Sequence, residues 1–225
     1  MKDVKILSID FSLSGSAFIY GNINSDRINY VYFSGLKKDI NNNSHCIKIL
    51  PEYTADDKLD YIITYYINLI EKDNIQYIFL EAPSFNSLNT SNAFKEGYGL
   101  IKYFARQNNI PYLLIPPISN KLFFTENSKA TKDEMVSKAI KLYENKIDFG
   151  YISKKHCEDV ADALSLYTLG REYLLCNRLL VKKGCVDTRD IKYFETLPLH
   201  QQQVIAKLYN REDLYKEIVK RRSRK

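Results

Sequence analysis

Four acids stand where a merely structural acid would be awkward. Asp10 closes the apolar run VKILSID, Glu81 closes YIFLE, and Asp159 and Asp162 lie within EDVADALSLY. Any one of them alone reads more readily as a structural ion pair, so the case for chemistry rests on the four together. Asp159 and Asp162 are three residues apart and share one face of a helix, and Ala161 and Ala163 beside them let that helix lie close on a sheet. If the strands ending at Asp10 and Glu81 are neighbours, four carboxylates converge beneath that helix face. Carboxylates gathered so closely raise one another's pKa unless a cation neutralises them, and hard oxygen donors suit Mg2+, with Mn2+ as a substitute. Two such ions about 4 Å apart can activate a water and stabilise the leaving oxygen of a phosphodiester, without a histidine or a covalent nucleophile. The chemistry expected is metal-dependent nucleic-acid hydrolysis.

Those acids need a scaffold, and the hydrophobic patterning describes one. Residues 4–11, 16–20 and 28–33 read as strands, separated by the turn-rich pairs Ser14-Gly15 and residues 22–26, which makes two successive hairpins. Residues 37–51 have no periodicity and read as a loop or flap. From 56 to 72, Leu59, Ile62, Ile63, Tyr66, Ile67 and Ile70 recur at helical spacing. A buried strand over 76–80, a helix over 92–107 and a third apolar strand over 111–115, closed by Pro116-Pro117, follow. Thr131 with Glu134 forms a capping box that opens a helix to about residue 143, and a further helix spans about 156–179. Alternation of strand and helix after hairpins implies an α/β fold, a mixed five-stranded sheet flanked by helices with right-handed crossovers. Residues 1–180 form the expected body. Residues 181–225 form a basic helical extension, with Pro198 suited to a helix's first turn and Val204, Ile205, Leu208, Leu214 and Ile218 in an amphipathic pattern.

Composition narrows the class. With 225 residues, 45% hydrophobic and 27% charged, the chain can bury one sizeable core, and wholesale disorder is excluded. The most apolar stretch, 61–70, stops at Glu71, far short of the roughly 18 residues a membrane span needs. No secretory h-region precedes the first strand, and four cysteines without a CxxC spacing suit a reducing compartment, so a bacterial or infected-host cytoplasm is the expected location. The pairs His45-Cys46 and His156-Cys157 lack zinc-ligand spacing. His156, three residues before Asp159, reads as an exposed helix-start histidine, with a place facing the metal site as the alternative. Lysine and arginine total 33 against 27 acids, but the extension alone, with 12 basic and 6 acidic residues, supplies the whole net charge of +6. Nucleic-acid binding by the body must therefore rest on local clustering. One cluster runs from Lys95 to Lys141: Lys95, Lys102, Arg106, Lys121, Lys129, Lys132, Lys138 and Lys141 face only Glu96, Glu126, Asp133 and Glu134.

Three blocks, ILSIDFSLSGSAF, YIFLEAPSF and HCEDVADALSLY, with IPPISNKLFFTENSKATKDEM between the last two, resemble those of the RuvC family of Holliday junction resolvases, within the ribonuclease H-like superfamily. The likeness covers about residues 5–170. It implies a ribonuclease H-like fold, with Asp10, Glu81, Asp159 and Asp162 as ligands of two Mg2+ ions. It also implies a homodimer that cuts opposite strands of branched DNA, four-way junctions above all. In that family a P-x-x-x-K and a G-x-A-x-K segment bring lysines to the scissile phosphate; Lys121 fits the first and Lys132 the second, with Ser128 at the glycine position. Phe85 resembles, one residue out of register, an aromatic that meets a base at the junction centre. Lys95, Lys102, Arg106 and Lys129 are the expected phosphate contacts. The lysine-, isoleucine-, asparagine- and tyrosine-rich usage fits a virus or mobile element. Two rival classes are an actin-like ATP-binding domain, which would want more glycine than DFSLSGSAF offers, and a catalytically silent DNA-binding scaffold, which would have no reason to keep four acids.

Overall fold

The three N-terminal apolar runs pair as a meander in the computed structural model, which describes residues 3–42, 44–83, 92–176 and 188–223. Strand β1 (Lys5–Asp10) pairs antiparallel with β2 (Ala17–Asn22), and β2 pairs antiparallel with β3 (Ile28–Ser34). The segment expected as a loop holds a short helix, α1 (Lys37–Asn42), and a three-residue strand, β4 (Cys46–Lys48). β4 lies parallel to β3 with Cys46 opposite Tyr32, so the sheet has six strands where five were expected. A strand this short carries too few residues to show alternation, which is why the segment reads as loop.

Helix α2 (Ala55–Asp73) starts at a capping box in which Thr54 and Asp57 satisfy each other's backbone donors. It delivers the chain to β5 (Tyr77–Glu81), which inserts beside β1 in parallel, Ile9 opposite Leu80. Helix α3 (Asn92–Gln107) crosses to β6 (Tyr112–Ile115) on the far edge of β5. The order β4-β3-β2-β1-β5-β6 puts the two acid-bearing strands side by side at the centre.

Because successive strand residues point to opposite faces, β1 and β5 feed two separate apolar layers. Leu7, Ile9, Ile78 and Leu80 join Ile62, Tyr66, Tyr98 and Ile101 of α2 and α3 on one face. Ile6 and Phe79 join the other layer, with residues of α4 (Pro117–Thr125), α5 (Lys132–Tyr143) and α6 (Lys154–Leu175). Each fully buried aliphatic in these layers contributes about 1.5–3 kcal/mol, which clamps the helices over the strands.

Helix α6 packs directly on β1 and β2. The hydroxyl of Ser8 donates to the Ala163 carbonyl at 2.9 Å, tying strand to helix backbone. A Cβ at Gly170 would stand 2.4 Å from the Phe79 ring, so glycine is what lets the helix approach β5 there.

Of the C-terminal helices α7 (Thr188–Thr196), α8 (Leu199–Leu208) and α9 (Glu212–Arg222), α8 lies on α4 and α6, α9 packs on α8, and α7 is tied to α6 by the Tyr193 hydroxyl, which donates to Glu172. Phe194, Ile205, Tyr209 and Ile218 are buried in the same apolar layer as α6. Among the described residues no helix is long and apolar enough to cross a membrane.

Candidate active site

Asp10 and Glu81 are the last residues of adjacent parallel strands and follow directly on the Ile9 and Leu80 pair. The two-residue period of the strands turns both side chains toward the α6 face. Asp159 and Asp162, one turn apart on α6, complete the group, and all four carboxylates keep partial exposure to solvent.

The proximity of the four is legible in the ionisation of three of them. Burial raises the Asp10 carboxyl well above the usual aspartate range, and the charges of Asp162, Glu81 and Asp159 raise it further. Glu81 is pushed up to about 7, by burial first and by Asp162 second. Asp162 is pushed up to about 6, again chiefly by burial, with Asp159 adding to the rise. Asp10, Glu81 and Asp162 are thus driven toward their neutral forms by a site that concentrates negative charge in a partly dry cleft. Among the described residues, no three or more His, Cys, Asp or Glu side chains already stand at the spacing that one bound ion would require. The donor chemistry, hard oxygens under mutual repulsion, nevertheless suits a divalent cation.

Two lysines oppose the repulsion. Lys132, the first residue of α5, lowers the pKa of Asp10, Glu81 and Asp162, and its ammonium donates to Glu158 at 2.6 Å. That bond is the main cause that raises the pKa of Lys132 itself. Lys121, on α4, acts on Glu81 and Asp162 while donating to the Ala130 carbonyl at 2.8 Å, which pins the loop leading into α5. Both lysines therefore lie at the carboxylates.

The longer basic cluster is divided between two helical layers. Lys95, Lys102 and Arg106 are on α3, whose buried residues pack with α2, whereas Lys121 on α4, Lys132 on α5 and Lys129 in the loop between them belong to elements that pack on the opposite face. β6 lies between the two groups in sequence and carries the chain from one face of the sheet to the other. Lys129 is exposed in the loop before α5. Phe85 lies outside the described residues.

One residue near the acids escaped the sequence reading, and another was set beside them there only as the alternative. Asn120 on α4 is 1% exposed, donates to the Ser165 hydroxyl at 2.6 Å, and helps hold down the pKa of Glu81. The signal for α4 was present in Pro117, a first-turn proline, followed by ISNKLFF. His156 is 1% exposed and buried against the acids, correcting the expectation of an exposed helix-start histidine. Its Nδ1 lies 2.8 Å from Asp159 Oδ2. His45, by contrast, stacks on Tyr30 in the β3–β4 region, so the two His-Cys pairs form no common site.

No protein-family model matches the sequence, and no curated protein sequence matches it. Solved structures do. The crystal structure of the yeast mitochondrial Holliday junction resolvase Ydc2 matches over 96% of this chain and 84% of its own, at 16% identity and a TM-score of 0.54. Thermus thermophilus RuvC in complex with Holliday junction substrate matches over 72% of this chain and 89% of its own, at 13% identity and a TM-score of 0.50. This chain therefore has the fold shared by RuvC and the yeast mitochondrial resolvase, the fold that its three sequence blocks resemble.

Proposed function

We propose that this protein is a Mg2+-dependent endonuclease that hydrolyses phosphodiesters in branched DNA, four-way junctions foremost, as a homodimer. The observation that carries the reading is the meeting of Asp10, Glu81, Asp159 and Asp162, drawn from two central strands and one helix, with the pKa values of three of them raised. Supporting it are two solved structures of the same fold, one a Holliday junction resolvase and one bound to a Holliday junction substrate.

In this reading the four carboxylates hold the cations, which when bound supply the positive charge that activates water and stabilises the leaving oxygen. The residues of the chain do the rest. Partial exposure of the acids leaves the cleft open to a phosphodiester. Lys132 trades its Glu158 partner for the scissile phosphate, and Lys121 holds the loop that aims it. A homodimer would place two such clefts about one two-fold axis, matching the symmetry of a four-way junction. Neither an ATP-binding domain nor a silent scaffold is favoured by any feature of the cleft.

The test is to incubate the purified chain with end-labelled junction, flap and duplex DNA, with and without Mg2+. Cleavage of the junction only with metal is expected, and Asp162→Asn should abolish it while leaving junction binding measurable. Full activity in that variant would overturn the assignment of the acids.

A further inference from the structure

His156 is enclosed between two carboxylates. Its Nδ1 meets Asp159 Oδ2 at 2.8 Å, and its Nε2 lies 3.9 Å from Asp39 Oδ2. Asp39 belongs to α1, within the segment that reads as a loop, yet its side chain is 0% exposed. It is held on all sides: Oδ2 accepts from the hydroxyls of Ser34 and Ser153, each at 2.9 Å, and Oδ1 accepts from the Ser153 backbone N–H at 2.6 Å. Ser153 is the residue that opens α6, so Asp39 fastens α1 to the start of the helix that bears Asp159 and Asp162. The Tyr32 ring lies against His156 with centroids 5.7 Å apart. On the other side the turn between β1 and β2 closes down: a Cβ at Gly15 would fall 2.3 Å from Asp159 Oδ2 and 3.1 Å from His156 Cε1.

A carboxylate can only accept, so the bond to Asp159 requires the imidazole proton on Nδ1. With Oδ2 engaged and Gly15 leaving no room to swing, the carboxylate of Asp159 is restricted to one orientation, and its second oxygen remains for the cleft. An imidazole that could rotate would not hold it; packing against Tyr32 and the approach to the immobile Asp39 stop that rotation. Groups that orient a ligand in this way typically change metal affinity or activity by about 10- to 100-fold when removed.

We infer that Asp39 and His156 form a buried relay that fixes the orientation of the Asp159 carboxylate, which makes His156 a positioning residue and helix α1 a part of the hydrolytic site's support. The inference rests on the nuclease reading, and its test separates the two. The amide nitrogen of asparagine can stand where Nδ1 stands, and that of glutamine where Nε2 stands. Mn2+ binding to the DNA-free full chain, followed by electron paramagnetic resonance, should therefore stay near wild type in His156→Asn and weaken about tenfold or more in His156→Gln. The Mg2+ concentration giving half-maximal cleavage should move in the same order, with junction affinity unchanged. Equal weakening in both variants, or none in either, overturns the relay, since loss of a merely structural histidine moves both alike. Should neither variant fold, Gly15→Ala decides: displacing Asp159 from the opposite side should weaken Mn2+ binding, and unchanged binding overturns the inference. A wild-type chain that binds no Mn2+ overturns the metal-dependent reading itself, and the relay with it.

Discussion

Neutralising Glu81 should stabilise the metal-free protein while destroying its proposed activity, and the effect should depend on pH in a defined direction. The carboxyl of Glu81 moves from 4.5 to about 7 on folding, chiefly because burial penalises its charge. A carboxyl whose pKa is raised by folding contributes stability that is fully present below its unfolded value and is lost as pH rises through the folded one. For Glu81 the window runs from 4.5 to about 7. At pH 8 the ionised form therefore costs about 3 kcal/mol, at 1.36 kcal/mol for each tenfold in proton affinity. Glutamine at this position stays neutral, so Glu81→Gln should melt about 5–10 °C above wild type at pH 8 in EDTA. At pH 4.5 to 5 the two should nearly coincide. Adding Mg2+ should raise the wild-type melting temperature at pH 8 and leave the variant close to its metal-free value. Differential scanning fluorimetry across pH 4.5 to 8.5, with and without metal, measures all three. A variant that is less stable than wild type at pH 8, or a difference independent of pH, would refute the claim that repulsion and burial are stored in this cleft.

Three further outcomes are expected. Lys132→Ala should slow junction cleavage by at least tenfold with little loss of junction affinity, measured by single-turnover kinetics beside gel-shift titration, since its ammonium already reaches Glu158 next to the acids. Deleting residues 187–225 should lower thermal stability and promote aggregation, because Phe194, Ile205 and Tyr209 cover apolar surface on α4 and α6; unchanged melting would show the extension to be merely appended. Gly170→Ala should cost about 1–3 kcal/mol in urea unfolding, because its methyl would overlap the Phe79 ring 2.4 Å away.

Much of the scaffold was legible because its signals are local. The capping box of Thr131 and Glu134 sets the start of α5, and the helix of Asn92–Gln107 follows from spacing alone. What was missed was short or buried. β4 has three residues, too few for a period, and α4 has nine, masked by two prolines that also read as a strand terminator. The basic residues from Lys95 to Lys141 are divided between two helical layers, because β6 leads the chain from one face of the sheet to the other.

The residue types and their spacing determined on their own that Asp10 and Glu81 end apolar strands, that Asp159 and Asp162 share a helix face, and that small residues let that helix lie low. These are consequences of periods of two and 3.6, which each segment carries within itself. Only the folded chain decided that β5 inserts beside β1, that Lys132 and Lys121 reach the acids while Lys102 and Arg106 lie across the sheet, and that Asp39 and His156 close behind Asp159. Those contacts join residues up to more than a hundred positions apart, as Asp39 and Ser153 are at a separation of 114. No local period encodes such a meeting; it is set by the order of strands in the sheet and by which apolar layer each helix must cover.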